Sequence, residues 1–210
     1  MRTWGGLALA LGLAGPAGAE GCRLALVLAL DVSVSVDAEE DRLQREGLAR
    51  ALMAPEVASA FLRGDPVALF AFDWSGAASQ RAILPGWVVV EAQADLARVA
   101  AAIAGSRRTT GPSDFTAVGA ALEFAGAALA EAPPCRGRTV DISGDGQIND
   151  GPRPSAVYAD PLWEGVTVNA LVIGGAEDGR TLGAWFEADV CGDPGRSGCL
   201  RTAMATMSGP

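Results

Sequence analysis

Leu24-Ala25-Leu26-Val27-Leu28-Ala29-Leu30-Asp31-Val32-Ser33-Val34-Ser35 is the stretch that decides the architecture of this chain. Seven apolar residues in a row, with no polar alternation, predict a strand covered on both faces, as in a parallel sheet between helices. Asp31, Ser33 and Ser35 follow where that strand must end. If the extended backbone continues, alternation puts their three oxygen-bearing side chains on one side and Val32 and Val34 on the other. Hard oxygens at the carboxyl end of a buried parallel strand predict a site for a hard cation such as Mg²⁺.

The segments beyond it alternate strand and helix, the pattern of an α/β fold. Asp37 is placed to cap a helix, with Glu40 reaching back, and Leu43, Leu48, Ala51 and Leu52 give that helix an apolar face. Pro55 interrupts it, and Val57 to Leu62 continue it. Val67 to Phe72 predicts a second buried strand. Residues 81–84 and 87–90 predict a short strand and a bend around Pro85-Gly86. Leu96, Val99, Ala100 and Ile103 mark an amphipathic helix, and Val118, Ala121, Leu122, Ala125 and Leu129 another. Thr139 to Ile142 and Val166 to Ile173 complete the strands. Leu182, Trp185 and Phe186 are placed to seat a helix, and Cys191 to Cys199 reads as a stapled loop.

The N-terminus carries Arg2, an apolar stretch from Leu7 to Leu13, and Ala17-Gly18-Ala19. That order predicts a secretory signal peptide over residues 1–19, followed by a single domain over 20–210. The apolar stretch is shorter than the ~20 residues of a membrane span, and Ala19-Glu20-Gly21 before Cys22 makes a poor lipoprotein signal. The mature chain is therefore expected to be periplasmic or secreted, without a membrane span. The net charge of −9 and the lack of a basic cluster argue against nucleic acid as partner. Arg107-Arg108, the only compact basic spot, reads as a solvated loop. Oligomeric state is not legible.

Four cysteines in an exported chain predict two disulfides, and three pairings are possible. Cys22 precedes Asp31 by nine residues and Cys135 precedes Asp145 by ten. Two parallel strands with their aspartates at one end would put these cysteines together at the other, which favours Cys22–Cys135 and Cys191–Cys199. A four-cysteine zinc site is the rival, but paired C-x-x-C spacing is missing. The chain has no histidine, so histidine-based triads and zinc hydrolase centres are excluded.

Loops after three predicted elements crowd at one sheet edge. The first offers Asp31, Ser33 and Ser35. The second, Gly111 to Thr116, offers Thr116, with Ser113 or Asp114 as rivals. The third offers Asp145 between Gly144 and Gly146, read as a tight turn aiming the carboxylate over the edge. The plainer alternative is that Asp31 caps a helix, the serines satisfy loop amides and Asp145 stabilises a turn. Asp73 and Asp114 read as solvated loop residues, Asn149-Asp150-Gly151 as a turn, and Trp74 and Trp87 as packing.

This arrangement resembles the von Willebrand factor A (vWA) domain and its metal-ion-dependent adhesion site (MIDAS): D-x-S-x-S after the first strand, a threonine before a later helix, and an aspartate after the fourth strand. Asp31, Ser33 and Ser35 match the first element, Thr116 the second, and Asp145, 114 residues beyond Asp31, the third. Gln44-Arg45-Glu46-Gly47 and Val140-Asp141-Ile142-Ser143-Gly144-Asp145-Gly146 are most similar to bacterial exported vWA-like proteins of the DUF1194 type. The likeness runs from residue 24 to about 175.

The resemblance implies a doubly wound, mostly parallel α/β sheet flanked by helices, the Rossmann-like vWA fold. It also implies a metal site at Asp31, Ser33, Ser35, Thr116 and Asp145, holding Mg²⁺ (or Mn²⁺ or Ca²⁺). Ser33 and Ser35 would bind the ion directly, Thr116 in a ligand-engaged state, and the two aspartates through water. The expected partner is a protein that supplies an Asp or Glu to the ion, with no catalysis. The alternatives are a vWA-like scaffold without metal, or a metal-dependent hydrolase. Against the hydrolase, a haloacid-dehalogenase-type site needs an acid where Ser33 stands and a lysine, and this chain has none. G-x-S-x-G is also absent.

Overall fold

The structure, a computed structural model, describes residues 21–108, 115–173, 178–191 and 202–205. Strand β1 (Leu24–Asp31) leads through α1 (Ala38–Met53) and α2 (Pro55–Leu62) to β2 (Val67–Trp74). Two short strands follow, β3 (Gln80–Ala82) and β4 (Val88–Val90), then α3 (Gln93–Gly105) and α4 (Val118–Ala130). Beyond them come β5 (Gly137–Gly144), a short α5 (Pro154–Val157), a 3-10 turn (Pro161–Trp163) and β6 (Val166–Ile173). The last described elements are α6 (Asp178–Trp185), a π-helical turn (Phe186–Val190) and β7 (Thr202–Ala205).

The sheet order is β3-β2-β1-β5-β6-β7, with β4 also paired to β2. Every pairing is parallel except those of β3 and β4 with β2. The apolar run reads as expected. Leu26, Leu28 and Leu30 pack with Val67, Leu69 and Ala71 beneath the helices that carry Leu52, Ala58, Leu96, Val99 and Ile103. Ala25, Val27 and Ala29 join Phe70, Phe72 and Trp74 against Val118, Leu122 and Ala125 of α4. Fully buried side chains such as Leu69 and Phe72 each contribute about 1.5–3 kcal/mol.

From β1 the chain moves outward to β2, then returns to place β5 on the other side of β1. The carboxyl ends of β1 and β5 therefore flank the crevice where strand order reverses, the position at which open α/β sheets bind ligands. At the opposite end Cys22 and Cys135 form a disulfide across 113 residues. Chain-entropy reasoning gives a link of that span about 4.8 kcal/mol as an upper figure. Cys191 is disulfide-bonded too, and Cys199, its expected partner, lies outside the described residues.

Three expectations need correction. The second strand runs two residues further, to Trp74, so Asp73 is fully buried within it. The segment after Pro55 is a separate helix that begins on that proline. The single short strand expected beside Pro85-Gly86 is two, β3 at Gln80–Ala82 and β4 at Val88–Val90, because each pairs with β2.

Candidate metal centre

The β1–α1 loop gathers its oxygens by a turn, not by strand alternation. β1 stops at Asp31, and Val36 N–H donates to Ser33 O at 3.1 Å to close a tight turn. Asp31 Oδ1 accepts from Ser33 N–H at 2.7 Å, fixing the loop's entry. Val32 and Val34 are consequently not equivalent: Val32 is buried and Val34 is 67% exposed. Asp37 and Glu40 form the expected capping box, which fixes the loop's exit. Asp37 Oδ1 accepts from Glu39 and Glu40 N–H, each at 2.8 Å, and Glu40 Oε2 accepts from Asp37 N–H at 3.0 Å.

The result brings the residues of the first and third loops together. Ser33 Oγ lies 3.2 Å from Ser35 Oγ. Ser35 Oγ donates to Asp145 Oδ1 at 2.7 Å, and Ser33 Oγ stands 3.5 Å from the same oxygen. Asp145 N–H donates to Asp31 Oδ2 at 3.3 Å. Thr116 is buried beside them. Its N–H donates to Asn149 Oδ1 at 2.8 Å, and a Cβ added at Gly146 would stand 3.5 Å from its Oγ1. Ser113 and Asp114, its rivals, lie outside the described residues. Gly144 has a role other than turn flexibility: a Cβ there would meet Phe186 Cζ at 2.7 Å and Asp31 Oδ2 at 3.5 Å. The residue is glycine because the loop approaches that closely, and neither Gly144 nor Gly146 has a positive φ.

Two carboxyls in this crevice are electrostatically uncomfortable. Burial pushes Asp31 from 3.8 up to about 7, with hydrogen bonds from Ser33 opposing the rise and the charge of Asp145 adding to it. Burial raises Asp145 as well, the hydrogen bond from Ser35 opposes it, and the Glu40 charge adds to the rise. Such a pair suits a counter-cation. The donor set is three hydroxyls and two carboxyls. Among the described residues, no three His, Cys, Asp or Glu groups converge on a metal position, so a soft or histidine-rich centre has no donors here. Hydroxyl and carboxylate oxygens are the donors a hard divalent ion takes.

Sequence reasoning missed the residues that brace this loop. Gln44 Nε2 donates to Asp31 O at 2.9 Å while its Oε1 meets Ser143 Oγ, and Ser143 Oγ accepts from Asp31 N–H at 3.1 Å. One amide thus ties the ends of β1 and β5 together. Arg45 is 3% exposed and pairs with Asp73 at 3.1 Å and Asp41 at 2.8 Å. Asp73 is therefore a buried ion-pair partner, not a solvated loop residue. Arg108, read as solvated, donates to Val32 O at 2.8 Å and Val36 O at 2.6 Å and holds the loop from outside. The i, i+4 spacing of Asp41 and Arg45 was the one available signal. Asp150 accepts from Ala77 N–H at 2.8 Å, pinning the turn after Asn149 to the β2–β3 connection. Trp74 is fully buried and Trp87 packs on Phe70 at 5.7 Å, as expected of packing residues.

A doubly wound sheet with these loops at its switch point defines a protein of the vWA fold class. The chain belongs to the family described as "Protein of unknown function (DUF1194)", whose model matches residues 21–197. No curated protein matches the sequence. Among solved structures, it is similar to proximal thread matrix protein 1 from the mussel byssus, at 16% identity and TM-score 0.57, covering 74% of this chain and 39% of that one. A further structure of that mussel protein, at 19% identity and TM-score 0.53 over 74% of this chain and 39% of that one, has a zinc-occupied MIDAS motif. A von Willebrand factor type A protein from Catenulispora acidiphila matches at 17% identity and TM-score 0.53 over 77% of this chain and 36% of that one. The pilus adhesin SpaC from Lactobacillus rhamnosus GG matches at 14% identity and TM-score 0.53, over 76% and 26%. The chain spans between a quarter and two-fifths of these neighbours' lengths, and the likeness establishes the shared fold.

Proposed function

We propose that this protein is an exported, non-catalytic binding domain that holds a divalent cation, Mg²⁺ or a similar ion, at Asp31, Ser33, Ser35, Thr116 and Asp145. The ion would present an open position to an Asp or Glu of a partner protein. The observation that carries this reading is the convergence of Ser33, Ser35 and Asp145 within 3.5 Å of one another, above the buried Asp31. Bound there, the cation would supply positive charge and an exchangeable coordination position. The residues do the rest. Ser33 and Ser35 are neutral donors that leave the ion's charge largely uncancelled, so an external carboxylate is attracted to it. Asp31 and Asp145 orient the hydroxyls, and Gln44 and Arg108 keep the loop in shape.

The rim supports a protein partner. Val34 and Phe115, 67% and 55% exposed, stand on the first and second loops. Exposed apolar groups beside a charged centre fit a protein surface that buries them around its acidic residue. Export is supported by the Cys22–Cys135 disulfide, and no helix among the described residues is long and apolar enough to cross a membrane. We read residues 1–19 as a leader and 20–210 as one domain.

The experiment is a melting-temperature series with Mg²⁺ or Mn²⁺, run beside capture of envelope proteins with and without chelator. Ion binding to the folded state raises the melting temperature by mass action, and Asp31→Ala abolishes the rise. No rise in the unmodified protein favours the metal-free scaffold. Turnover of a phosphomonoester that Asp31→Ala abolishes would favour the hydrolase.

A further inference from the structure

Asp31, Ser33, Ser35 and Asp145 are linked by hydrogen bonds to one another, and Thr116 makes none to any of them. The four that converge therefore do not fix the fifth. Its backbone is held at both polar atoms by one other residue. Thr116 N–H donates to Asn149 Oδ1 at 2.8 Å, and Asn149 N–H donates to Thr116 O at 3.0 Å. The next residue is tied in a different direction: Ala117 N–H donates to Ser75 O at 2.9 Å, just past the end of β2.

These bonds engage the backbone of Thr116 and leave its hydroxyl unengaged. Thr116 is 4% exposed, and its Oγ1 has no hydrogen-bond partner among the described residues. Buried hydroxyls are as a rule paired. One that is unpaired on a backbone fixed from two sides is preorganised to donate its oxygen to something else.

Asn149 lies four residues after Asp145 on the same loop, so the clasp sets Thr116 against the strand end that carries Asp145. That loop is itself anchored. Asp150 Oδ2 accepts from Ala77 N–H at 2.8 Å, and Gly151, at φ +71°, lies so near the start of α4 that a Cβ on it would stand 3.5 Å from that of Ala117. The common turn roles of asparagine are a left-handed φ or an acceptor for its own turn. Asn149 has no positive φ, and its Oδ1 accepts from Thr116 instead. Its side chain is exposed, so packing does not explain it either.

We propose that Asn149 is the positioning residue for Thr116, acting on a bound cation only through the placement of Thr116 Oγ1. The inference rests on the metal reading above and names the residue that sets the geometry of its second loop.

The test uses the full chain in two arms. In EDTA, amide exchange followed by NMR should be at least tenfold faster at Thr116 in Asn149→Ala, with α4 amides such as Ala125 unchanged; a general loss of stability would move both. In the second arm Mn²⁺ is titrated by electron paramagnetic resonance, with acetate present as the external carboxylate. Asn149→Ala should weaken Mn²⁺ at least fivefold, and Asn149→Asp, which keeps an oxygen acceptor, should not fall below the unmodified protein in either arm. In a Thr116→Val background, where the hydroxyl is gone, Asn149→Ala should cost under twofold more. Unchanged exchange at Thr116, or an Asn149→Ala effect undiminished beside Thr116→Val, would overturn the assignment. If the unmodified chain takes up no Mn²⁺, the metal reading fails and the assignment falls with it. If it does and Asn149→Ala binds equally well, the assignment alone falls.

Discussion

Raising the pH from 5 to 8 in EDTA should destabilise this protein, and Asp31 should be the cause. Its carboxyl is fully buried and sits at about 7 in the folded protein, against 3.8 for the free group. Between those values the folded state holds a proton that the unfolded chain has released. Stability is therefore highest below the unfolded value and declines as pH climbs toward the folded one. At ~1.4 kcal/mol per unit the whole effect is on the order of 4 kcal/mol, about 2 of it between pH 5 and 7. Asp145 and Asp141, both raised by burial, add to the slope. The window is unusually clean, because the chain has no histidine to titrate there. Urea unfolding at half-unit pH steps measures it. Asp31→Asn, which has no proton to lose, should flatten most of the slope at the cost of the Asp145 N–H acceptor. A saturating divalent cation should also flatten it, by favouring the charged carboxylate. A wild-type profile that is flat or rises over this window, or one that Asp31→Asn leaves unchanged, refutes the reasoning.

Other perturbations test the parts that hold the site. Gly119→Ala puts a Cβ 1.8 Å from Pro152 O, so α4 and the loop after Asp145 must separate; a loss of about 1–3 kcal/mol and a weaker ion-induced melting shift are expected in calorimetry. Arg45→Met removes the buried ion pair with Asp73 and should cost about 3–5 kcal/mol in urea unfolding, which an unchanged midpoint would contradict. Phe115→Ala removes an exposed rim group, so it should lower partner capture while leaving the ion-induced melting shift intact; equal loss of both would place Phe115 in the ion site instead.

The architecture was legible because its signals are local. Leu24 to Leu30 and Val67 to Phe72 are apolar without alternation, which only a doubly covered strand tolerates. The spacing of Cys22 from Asp31 and of Cys135 from Asp145 carried the disulfide, since parallel register turns nearly equal offsets into proximity. That Asp31, Ser33, Ser35 and Asp145 come together was legible from D-x-S-x-S and a distant aspartate, but the geometry that gathers them was not. Strand alternation would have aligned Ser33 and Ser35, whereas a turn closed by Val36 N–H on Ser33 O gathers them. Asp73 was misread because a carboxylate in sequence carries no mark of its partner, and Arg45 is 28 residues away. The bracing roles of Gln44 and Arg108 were not legible for the same reason: both act on backbone carbonyls, which every residue has.

The most direct measurement is a crystal soaked in Mn²⁺ and examined by anomalous scattering. The account predicts one strong peak among Ser33 Oγ, Ser35 Oγ and the carboxyls of Asp31 and Asp145, absent from crystals of Asp31→Ala. No peak there, or one only at the surface carboxylates of α1 such as Glu39 and Glu46, would contradict it.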